Sequence, residues 1–152
     1  MNILVTVGTT PFHSLVKAVS RIDNEVNLNE KVNFTFQVAE LLDEYKGDSY
    51  VSYLDNINEF YLKSDIIITH AGAGSIYTLL DLQSKIVVVP NLERMDKHQT
   101  EMAEFVERND YGSVCLDSKE ISLDYLLSIR EMSFKRFCKD DFFLREEIFK
   151  GL

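Results

Sequence analysis

The sequence predicts one α/β domain, built as a Rossmann-like doubly wound parallel sheet with helices on both faces. Six short β-rich runs alternate with longer stretches of helical periodicity, which is the pattern of a parallel sheet covered by helices. Two of the runs, 66–68 and 86–89, are apolar throughout, as expected when helices bury both faces of a strand. A chain of 152 residues fits one domain with one core, so we expect residues 1–152 to form a single unit.

The predicted strands are short and rich in β-branched and aromatic residues, and the segments between them have helical periodicity. The strands are 3–7, 32–38, 50–53, 65–69, 86–89 and 113–116. Helix faces on the sheet are predicted at Phe12, Leu15, Val16 and Val19, at Ile57, Phe60 and Tyr61, at Ile76, Leu79 and Leu80, and at Met102, Phe105 and Val106. Asp55 or Asn56 is expected to cap the second helix, and Ser122 a last helix after the sixth strand.

The C-terminal residues differ from the rest of the chain in composition. Between 134 and 149, basic residues are interleaved with Phe134, Phe137, Phe142, Phe143 and Phe149. We expect a C-terminal helical segment over 134–152. It either packs on its own domain or docks on another polypeptide, since exposed apolar patches mark interaction sites.

Charge and apolar patterning exclude several classes of function. The chain has 16 basic and 25 acidic residues and a net charge of −9, which is unfavourable for binding nucleic acid. No apolar run approaches the roughly 20 residues that cross a bilayer. The first residues lack the features of a signal peptide, so a cytoplasmic location is expected. Cys115 and Cys138 form no CxxC motif and are expected to be free thiols that fill apolar space.

Three loops that follow predicted strands contain the residues most suited to bind a ligand, because ligands of open parallel sheets bind beyond the carboxyl ends of the strands. The first loop contains Gly8, Thr9, Thr10 and Pro11. Gly8 permits an unusual backbone conformation, the threonines can cap a helix, and Pro11 suits a first helical turn. Such a turn can present amides to a phosphate, but a plain strand-to-helix turn has the same composition.

The second loop, 69–76, has only small residues for five positions after His70 and then begins a helix. Its small residues Gly72, Ala73, Gly74 and Ser75 would let a diphosphate approach the amides of the first helical turn. The loop lacks the glycine spacing of the dinucleotide fingerprint and the lysine of a P-loop. Close helix–strand packing through Gly72 and Gly74 is the alternative explanation.

The third loop, 89–101, is polar and leads into another helix. Asp96, His98 and Gln99 place hydrogen-bond donors and acceptors within four residues, which suits a sugar with several hydroxyls. A metal site is not expected, because His70 and His98 have no third ligand at a suitable spacing. A nucleophilic triad is not expected either, since there is no GxSxG motif.

Three separated motifs resemble the C-terminal domain of family 28 glycosyltransferases, which have the GT-B fold. They are residues 70–75 (HAGAGS), 88–91 (VVPN) and 96–99 (DKHQ), and the start of the chain, 5–9 (VTVGT), also matches. The resemblance is closest to the stand-alone donor-binding subunit of two-component UDP-sugar glycosyltransferases, found in bacterial exopolysaccharide and capsule assembly and in dolichol-linked oligosaccharide assembly.

The resemblance implies a half-enzyme that binds a UDP-sugar, while a membrane-associated partner subunit holds a lipid-linked saccharide acceptor. Transfer would proceed with inversion, without a cofactor and without a metal at the donor site, and the chain would lie at the inner face of the membrane through its partner. The implied donor-binding residues are Gly72, Ala73, Gly74 and Ser75 at the diphosphate, Asp96, His98 and Gln99 at the sugar, and Asn91, with Gly8 and Thr9 lining the cleft that faces the partner.

Two positions leave open questions about roles. Many relatives have a glutamate that binds the ribose where this chain has Thr78, so a hydroxyl is expected to serve there. His70 is the candidate general base of this chain, but it could equally orient its loop by a hydrogen bond while the partner supplies the base.

Two alternatives to the half-enzyme remain open at this point. The chain could be a complete small glycosyltransferase, acting as a homodimer, or a non-catalytic UDP-sugar-binding regulatory module.

Overall fold

A computed structural model describes residues 1–26, 31–45, 47–93 and 98–139 of the chain. It contains the six predicted strands, and both ends of each lie within two residues of the predicted ends. The strands are β1 (Asn2–Thr6), β2 (Asn33–Gln37), β3 (Tyr50–Val51), β4 (Ile66–His70), β5 (Ile86–Val89) and β6 (Ser113–Val114). The helices are α1 (His13–Glu25), α2 (Ile57–Lys63), α3 (Ala73–Asp81), α4 (His98–Arg108) and α5 (Leu123–Glu131). A short 3-10 helix covers Ser118–Glu120.

The strands form one parallel sheet in the order β3-β2-β1-β4-β5-β6. Strand order reverses at β1, with β2 and β3 on one side and β4, β5 and β6 on the other. This arrangement confirms the predicted doubly wound sheet. Among the described helices, none is long and apolar enough to cross a membrane.

Successive residues of each central strand enter two separate apolar cores, one on each face of the sheet. In β4, Ile66 and Ile68 join the core that α1 and α5 cover, whereas Ile67 joins the core that α2, α3 and α4 cover. Because side chains alternate between the faces of a strand, a strand buried on both faces is expected to carry apolar residues at successive positions and not only at every second one. The continuous apolar runs of β4 and β5 therefore follow from the two helical layers.

Helix starts agree with the sequence in part. The Ser122 hydroxyl accepts a hydrogen bond from the Tyr125 amide and caps α5, as predicted. Asn56 occupies the N-cap position of α2, but its side chain donates to the Glu59 carboxylate and accepts no backbone bond. At α1, Phe12 is the N-cap residue and is buried, so Pro11 precedes the helix and does not lie in its first turn.

The two cysteines differ in environment. Cys115 is buried, and its thiol donates to the Asp117 carbonyl at 3.0 Å. Burial is the main cause that raises the pKa of this thiol. Cys138 is exposed, so the prediction that both thiols fill apolar space is wrong for Cys138. Both are free, as predicted.

The described part of the C-terminal segment is irregular and contains no helix between residues 132 and 139. Phe134 packs against the α1/α5 core and Phe137 against the opposite core, where its ring meets Tyr111 edge-on at 5.4 Å. The Lys135 amide donates to the Asp110 carbonyl, and the Gln83 side chain donates to the Phe137 carbonyl. Hydrogen bonds and apolar contacts therefore hold residues 134–137 where the segment passes from one face of the sheet to the other. The prediction of a helix is wrong for residues 134–139.

These two phenylalanines pack on their own domain, in agreement with the first of the two interpretations. Phe142, Phe143 and Phe149 lie outside the described residues. The role of 140–152, including docking on a partner, therefore stays a prediction.

Truncation of a central core residue tests the two-sided burial of β4. We expect Ile68→Ala to lower the free energy of unfolding by about 2–5 kcal/mol, because the side chain is fully buried and its loss leaves a cavity. Urea denaturation monitored by circular dichroism measures this change. The control Leu62→Ala, at a side chain 69% exposed on α2, should change it by no more than about 0.5 kcal/mol. Equal effects of the two substitutions would contradict this architecture.

Candidate functional site

The carboxyl ends of β1 and β4 lie side by side at the point where the strand order reverses. β1 pairs with β2 on one side and with β4 on the other, and Thr6 of β1 is in register with Thr69 of β4. Ligands of open α/β sheets bind in the crevice at such a point. The loops that follow β1 and β4 are therefore the centre of the candidate site, and they are the first two loops that the sequence indicated.

The imidazole of His70 lies between these two loops and touches a glycine in each. A Cβ atom on Gly8 would lie 2.7 Å from His70 Cε1, and a Cβ on Gly72 would lie 2.3 Å from His70 Nε2. Both distances are shorter than van der Waals contact, so a side chain at either position would displace the ring. Gly8 also has a φ of +68°, which favours glycine independently of the ring.

Gly74, by contrast, has no packing reason to be glycine. Among the residues that the structure describes, none has an atom within 4 Å of a Cβ added there. The alternative explanation of this loop by close packing is therefore supported for Gly72 and not for Gly74. The space beside Gly74 is open to a ligand.

Burial lowers the pKa of His70, and the nearby Thr6 backbone carbonyl opposes this effect more weakly. The imidazole is accordingly neutral at neutral pH. Among the described residues, no hydrogen-bond partner of ordinary geometry reaches His70 Nδ1, although this atom is buried. Contacts with the two glycines hold the ring, and the Thr6 backbone carbonyl is its nearest hydrogen-bonding group, so a role of His70 in orienting its loop by a hydrogen bond stays a prediction.

The N-terminus of α3 is open at the end of the second loop. Gly72 is the N-cap residue, so no side chain caps the helix, and its first turn carries no acidic residue. Ala73 and Gly74 are exposed, and their amides belong to the first turn, where helix N–H groups have no intrahelical acceptor. These amides and the helix dipole give the loop a positive partial charge that suits an anion.

Two hydroxyls that the sequence offered to a ligand have contacts within the protein. Thr78 is exposed, and its hydroxyl donates to the Gly74 carbonyl at 2.9 Å. It can still accept a hydrogen bond from a ribose. Ser75 is half-buried and its hydroxyl contacts Tyr61 of α2, which opposes the rise that burial causes in the pKa of Tyr61. The Ser75 side chain is therefore engaged toward α2, while its amide remains part of the first turn of α3.

The first loop is held by a residue that the sequence analysis did not select. Gln37, the last residue of β2, is buried, and its side-chain amide bonds both the N–H and the carbonyl of Gly8. Thr9, the next residue, is exposed at the edge of the sheet. In the sequence, the one feature that could have indicated Gln37 is an amide side chain within a β-rich run, at the position where β2 ends.

The third loop uses two of its predicted ligand-binding residues to fix its own shape. Asn91 and Gln99 are 2% and 8% exposed. The Asn91 amide donates to Gln99 Oε1 at 2.8 Å, and Asn91 Oδ1 accepts from the Glu93 amide. His98 is exposed at the start of α4 with Nδ1 3.4 Å from a Glu101 carboxylate oxygen. Asp96 lies outside the described residues.

The structure thus brings Gly8, His70 and Gly72 into one contact group beside the start of α3. Asn91 and Gln99 form a second group beyond β5, which is the strand next to β4, with Val89 in register with His70. Within the described ranges, no group of three or more histidine, cysteine or acidic residues could hold a metal ion.

Comparison with known proteins gives the family of the chain. Residues 2–133 match the model of the glycosyltransferase family 28 C-terminal domain. The UDP-N-acetylglucosamine transferase subunit ALG13 of Homo sapiens is 29% identical over 161 aligned residues, which include 99% of this chain and 14% of that protein. The protein of the same name in Yarrowia lipolytica is 27% identical over 148 residues, or 89% of this chain and 76% of that protein.

Solved structures agree with the fold. The glycotransferase of kitacinnamycin superposes with a TM-score of 0.64 at 17% identity, over 86% of this chain and 35% of that one. This likeness confirms the predicted half of a GT-B fold. The chain spans about a third of that structure and about one seventh of its human relative. Because the family model covers nearly the whole described fold, including all three loops, this chain belongs to the glycosyltransferase family 28 C-terminal domain family.

Proposed function

We propose that this chain is the donor-binding subunit of an inverting UDP-sugar glycosyltransferase that acts on a lipid-linked acceptor in glycan assembly. A membrane-associated partner subunit would hold the acceptor and bring this chain to the inner face of the membrane. The observation that carries the proposal is the uncapped start of α3 beside His70, in a chain of this family. The relatives named as transferase subunits support the need for a partner.

The start of α3 suits the diphosphate because transfer of the sugar leaves negative charge on UDP. Amides and a helix dipole that already point toward this charge stabilise it without reorganisation. No acidic side chain stands in the first turn of α3 to oppose the charge. The proposed donor site therefore needs neither a metal nor a cofactor, and the amides of Ala73, Gly74 and Ser75 take the phosphates.

His70 is the candidate general base of this chain. Its imidazole is neutral, since burial lowers its pKa, and a neutral imidazole can accept the proton of an attacking hydroxyl. The glycines on either side restrict its movement, which favours a fixed position relative to the diphosphate. A base supplied by the partner is the alternative. Sugar transfer by His70→Asn in the assembled complex distinguishes the two, since transfer is lost if His70 is the base and kept if the partner supplies it.

The sugar would lie toward the third loop. Gln99 Oε1 is occupied by the Asn91 amide, so the amide nitrogen of Gln99 is the group of this side chain that would meet a sugar hydroxyl. His98 is exposed at the start of α4 and would lie next to it. Asn91 would act on the donor through the shape of the loop, because its side chain is buried. Asp96 completes the proposed set.

The partner would cover an apolar rim on the same edge of the sheet. The rim consists of four exposed side chains, one after each of β2, β3, β5 and β6: Leu41 (52% exposed), Tyr53 (73%), Leu92 (60%) and Leu116 (63%). Leu92 and Leu116 also line a cavity of about 450 Å³ with Phe12 and Pro90. Exposed apolar side chains around a ligand site are typical of a surface that a second subunit covers.

UDP should stabilise the isolated chain. At a concentration of one hundred times its Kd, we expect the free energy of unfolding to rise by about 2.7 kcal/mol, because UDP binds only the folded state. Differential scanning calorimetry measures the shift and titration calorimetry the affinity. Binding should persist in EDTA and be lost with uridine, which lacks the diphosphate. Absence of UDP binding both to the chain and to its complex would refute the proposed function.

Gly72→Ala should weaken UDP binding about tenfold or more. The added Cβ would displace His70 and the start of α3, and loss of one charge-assisted hydrogen bond costs about 1.5–3 kcal/mol. Leu62→Ala is the control, since Leu62 is an exposed side chain of α2 outside the proposed donor site. Titration calorimetry with UDP compares the two. If both variants bind UDP as tightly as the unchanged chain does, this prediction is wrong.

Charge on the rim should prevent assembly without affecting the donor site. We expect Leu92→Asp and Leu116→Asp each to reduce recovery of the complex about tenfold or more when the chain is co-purified with the product of a neighbouring gene, because burying one leucine contributes about 1.5–3 kcal/mol. UDP binding to the isolated variants should be unchanged. Leu62→Asp, on the exposed side of α2, is the control. Sugar transfer by the chain alone would instead favour the self-sufficient enzyme.

A further inference from the structure

The side chain of Gln37 joins three segments at the carboxyl edge of the sheet. Its Oε1 accepts hydrogen bonds from the Thr6 hydroxyl at 2.7 Å and from the Gly8 amide at 3.1 Å. Its Nε2 donates to the carbonyls of Gly8 at 2.8 Å and of Ser52 at 3.0 Å. The amide therefore connects the end of β1, the first loop and the residue that follows β3.

These four hydrogen bonds use the full capacity of a side-chain amide that lies in a residue only 5% exposed. They also fix its orientation. Rotating the amide by half a turn would place its nitrogen against the Gly8 N–H and its oxygen against two carbonyls. An apolar side chain of similar length would leave these groups without their partner in a buried place.

The atom pair that Gln37 holds belongs to Gly8, and Gly8 is one wall of the space that His70 occupies. A hypothetical Cβ on Gly8 lies 2.7 Å from His70 Cε1, so the backbone already touches the ring. The opposite wall is Gly72, the N-cap residue of α3. A shift of Gly8 would therefore widen the space and allow the ring to move away from the start of α3.

We propose that Gln37 is a positioning residue of the donor site. Its side-chain amide bonds both the N–H and the carbonyl of Gly8 and thereby holds the His70 imidazole against the start of α3. Gln37 acts through Gly8 and does not itself touch the donor. This inference rests on the proposed function only for its effect on UDP, since the effect on the ring is a property of the protein alone.

The test compares Gln37→Met with Gln83→Met. The first keeps the length of the side chain and removes all four hydrogen bonds. Gln83 is a matched control because its Nε2 also donates to two carbonyls, those of Leu80 and Phe137, before the start of β5 at the other edge of the sheet. Thr6→Val removes a single hydrogen bond to Gln37 and replaces Gln37→Met if that variant does not fold.

Two readouts are measured on each folded variant. The first is the titration of the His70 imidazole by NMR, with its signals assigned by comparison with His70→Asn. The second is the UDP affinity by calorimetry. We expect Gln37→Met to move the titration midpoint of His70 upward, because water reaches the ring, and to weaken UDP about tenfold. Thr6→Val should change both in the same direction and less, and Gln83→Met should change neither.

The outcomes separate the two proposals. If Gln37→Met or Thr6→Val is folded and His70 titrates as in the unchanged chain, the positioning role is refuted, whatever happens to UDP. If His70 shifts but neither the unchanged chain nor its complex binds UDP, the positioning of the ring by Gln37 stands and the proposed function fails. If Gln83→Met moves His70 as far as Gln37→Met does, the effect is general loosening of the fold, and the positioning role is refuted.

Discussion

The His70 ring fills the space between two backbone segments, and the rest of the site depends on this contact. Neighbouring parallel strands bring the loops after β1 and β4 together, but their separation is set by what lies between them. An imidazole with glycine on both sides permits a closer approach than two ordinary residues would. The start of α3 is then held beside the first loop, with its amides open toward the crevice.

An acidic chain can hold an anion in this way because the positive charge comes from the backbone. The net charge is −9, and the first turn of α3 contains small, uncharged residues. Salt screens acidic side chains that lie farther away than about one Debye length, so they do not cancel the field of the amide dipoles at the helix start. The charge balance that argued against nucleic acid is therefore compatible with a small phosphorylated ligand.

Sequence reasoning identified the strands and helices because each element has a strong period. Residues 66–68 of β4 and all of β5 are apolar since both faces are buried, and such continuous apolar runs indicate covered parallel strands. The described C-terminal residues were predicted less well. Phe134 and Phe137 are three positions apart, as on a helix face, yet they reach opposite cores from an irregular segment. Periodicity does not distinguish these two ways of burying a pair of rings.

The site was predicted as a set of loops, and its internal connections were not. Gly8, His70 and Gly72 were all selected from the sequence, but their mutual contact depends on the strand order. Gln37 was missed because a single amide in a strand has no local signature, and the three residues that it bonds are distant in sequence. The burial of Asn91 and Gln99 was likewise not predicted, because a polar loop sequence does not show which of its side chains face inward.

The two glycines beside His70 differ in how strictly they are required. Gly8 touches the ring and also has a left-handed backbone, so glycine stays favoured there even if the ring is removed. Gly72 has a φ of −75° and a ψ of 124°, which alanine adopts without strain, and the ring is its main obstacle. Positions 70 and 72 should therefore covary during divergence: where a smaller residue replaces the histidine, alanine becomes acceptable two residues later, while glycine stays favoured at position 8.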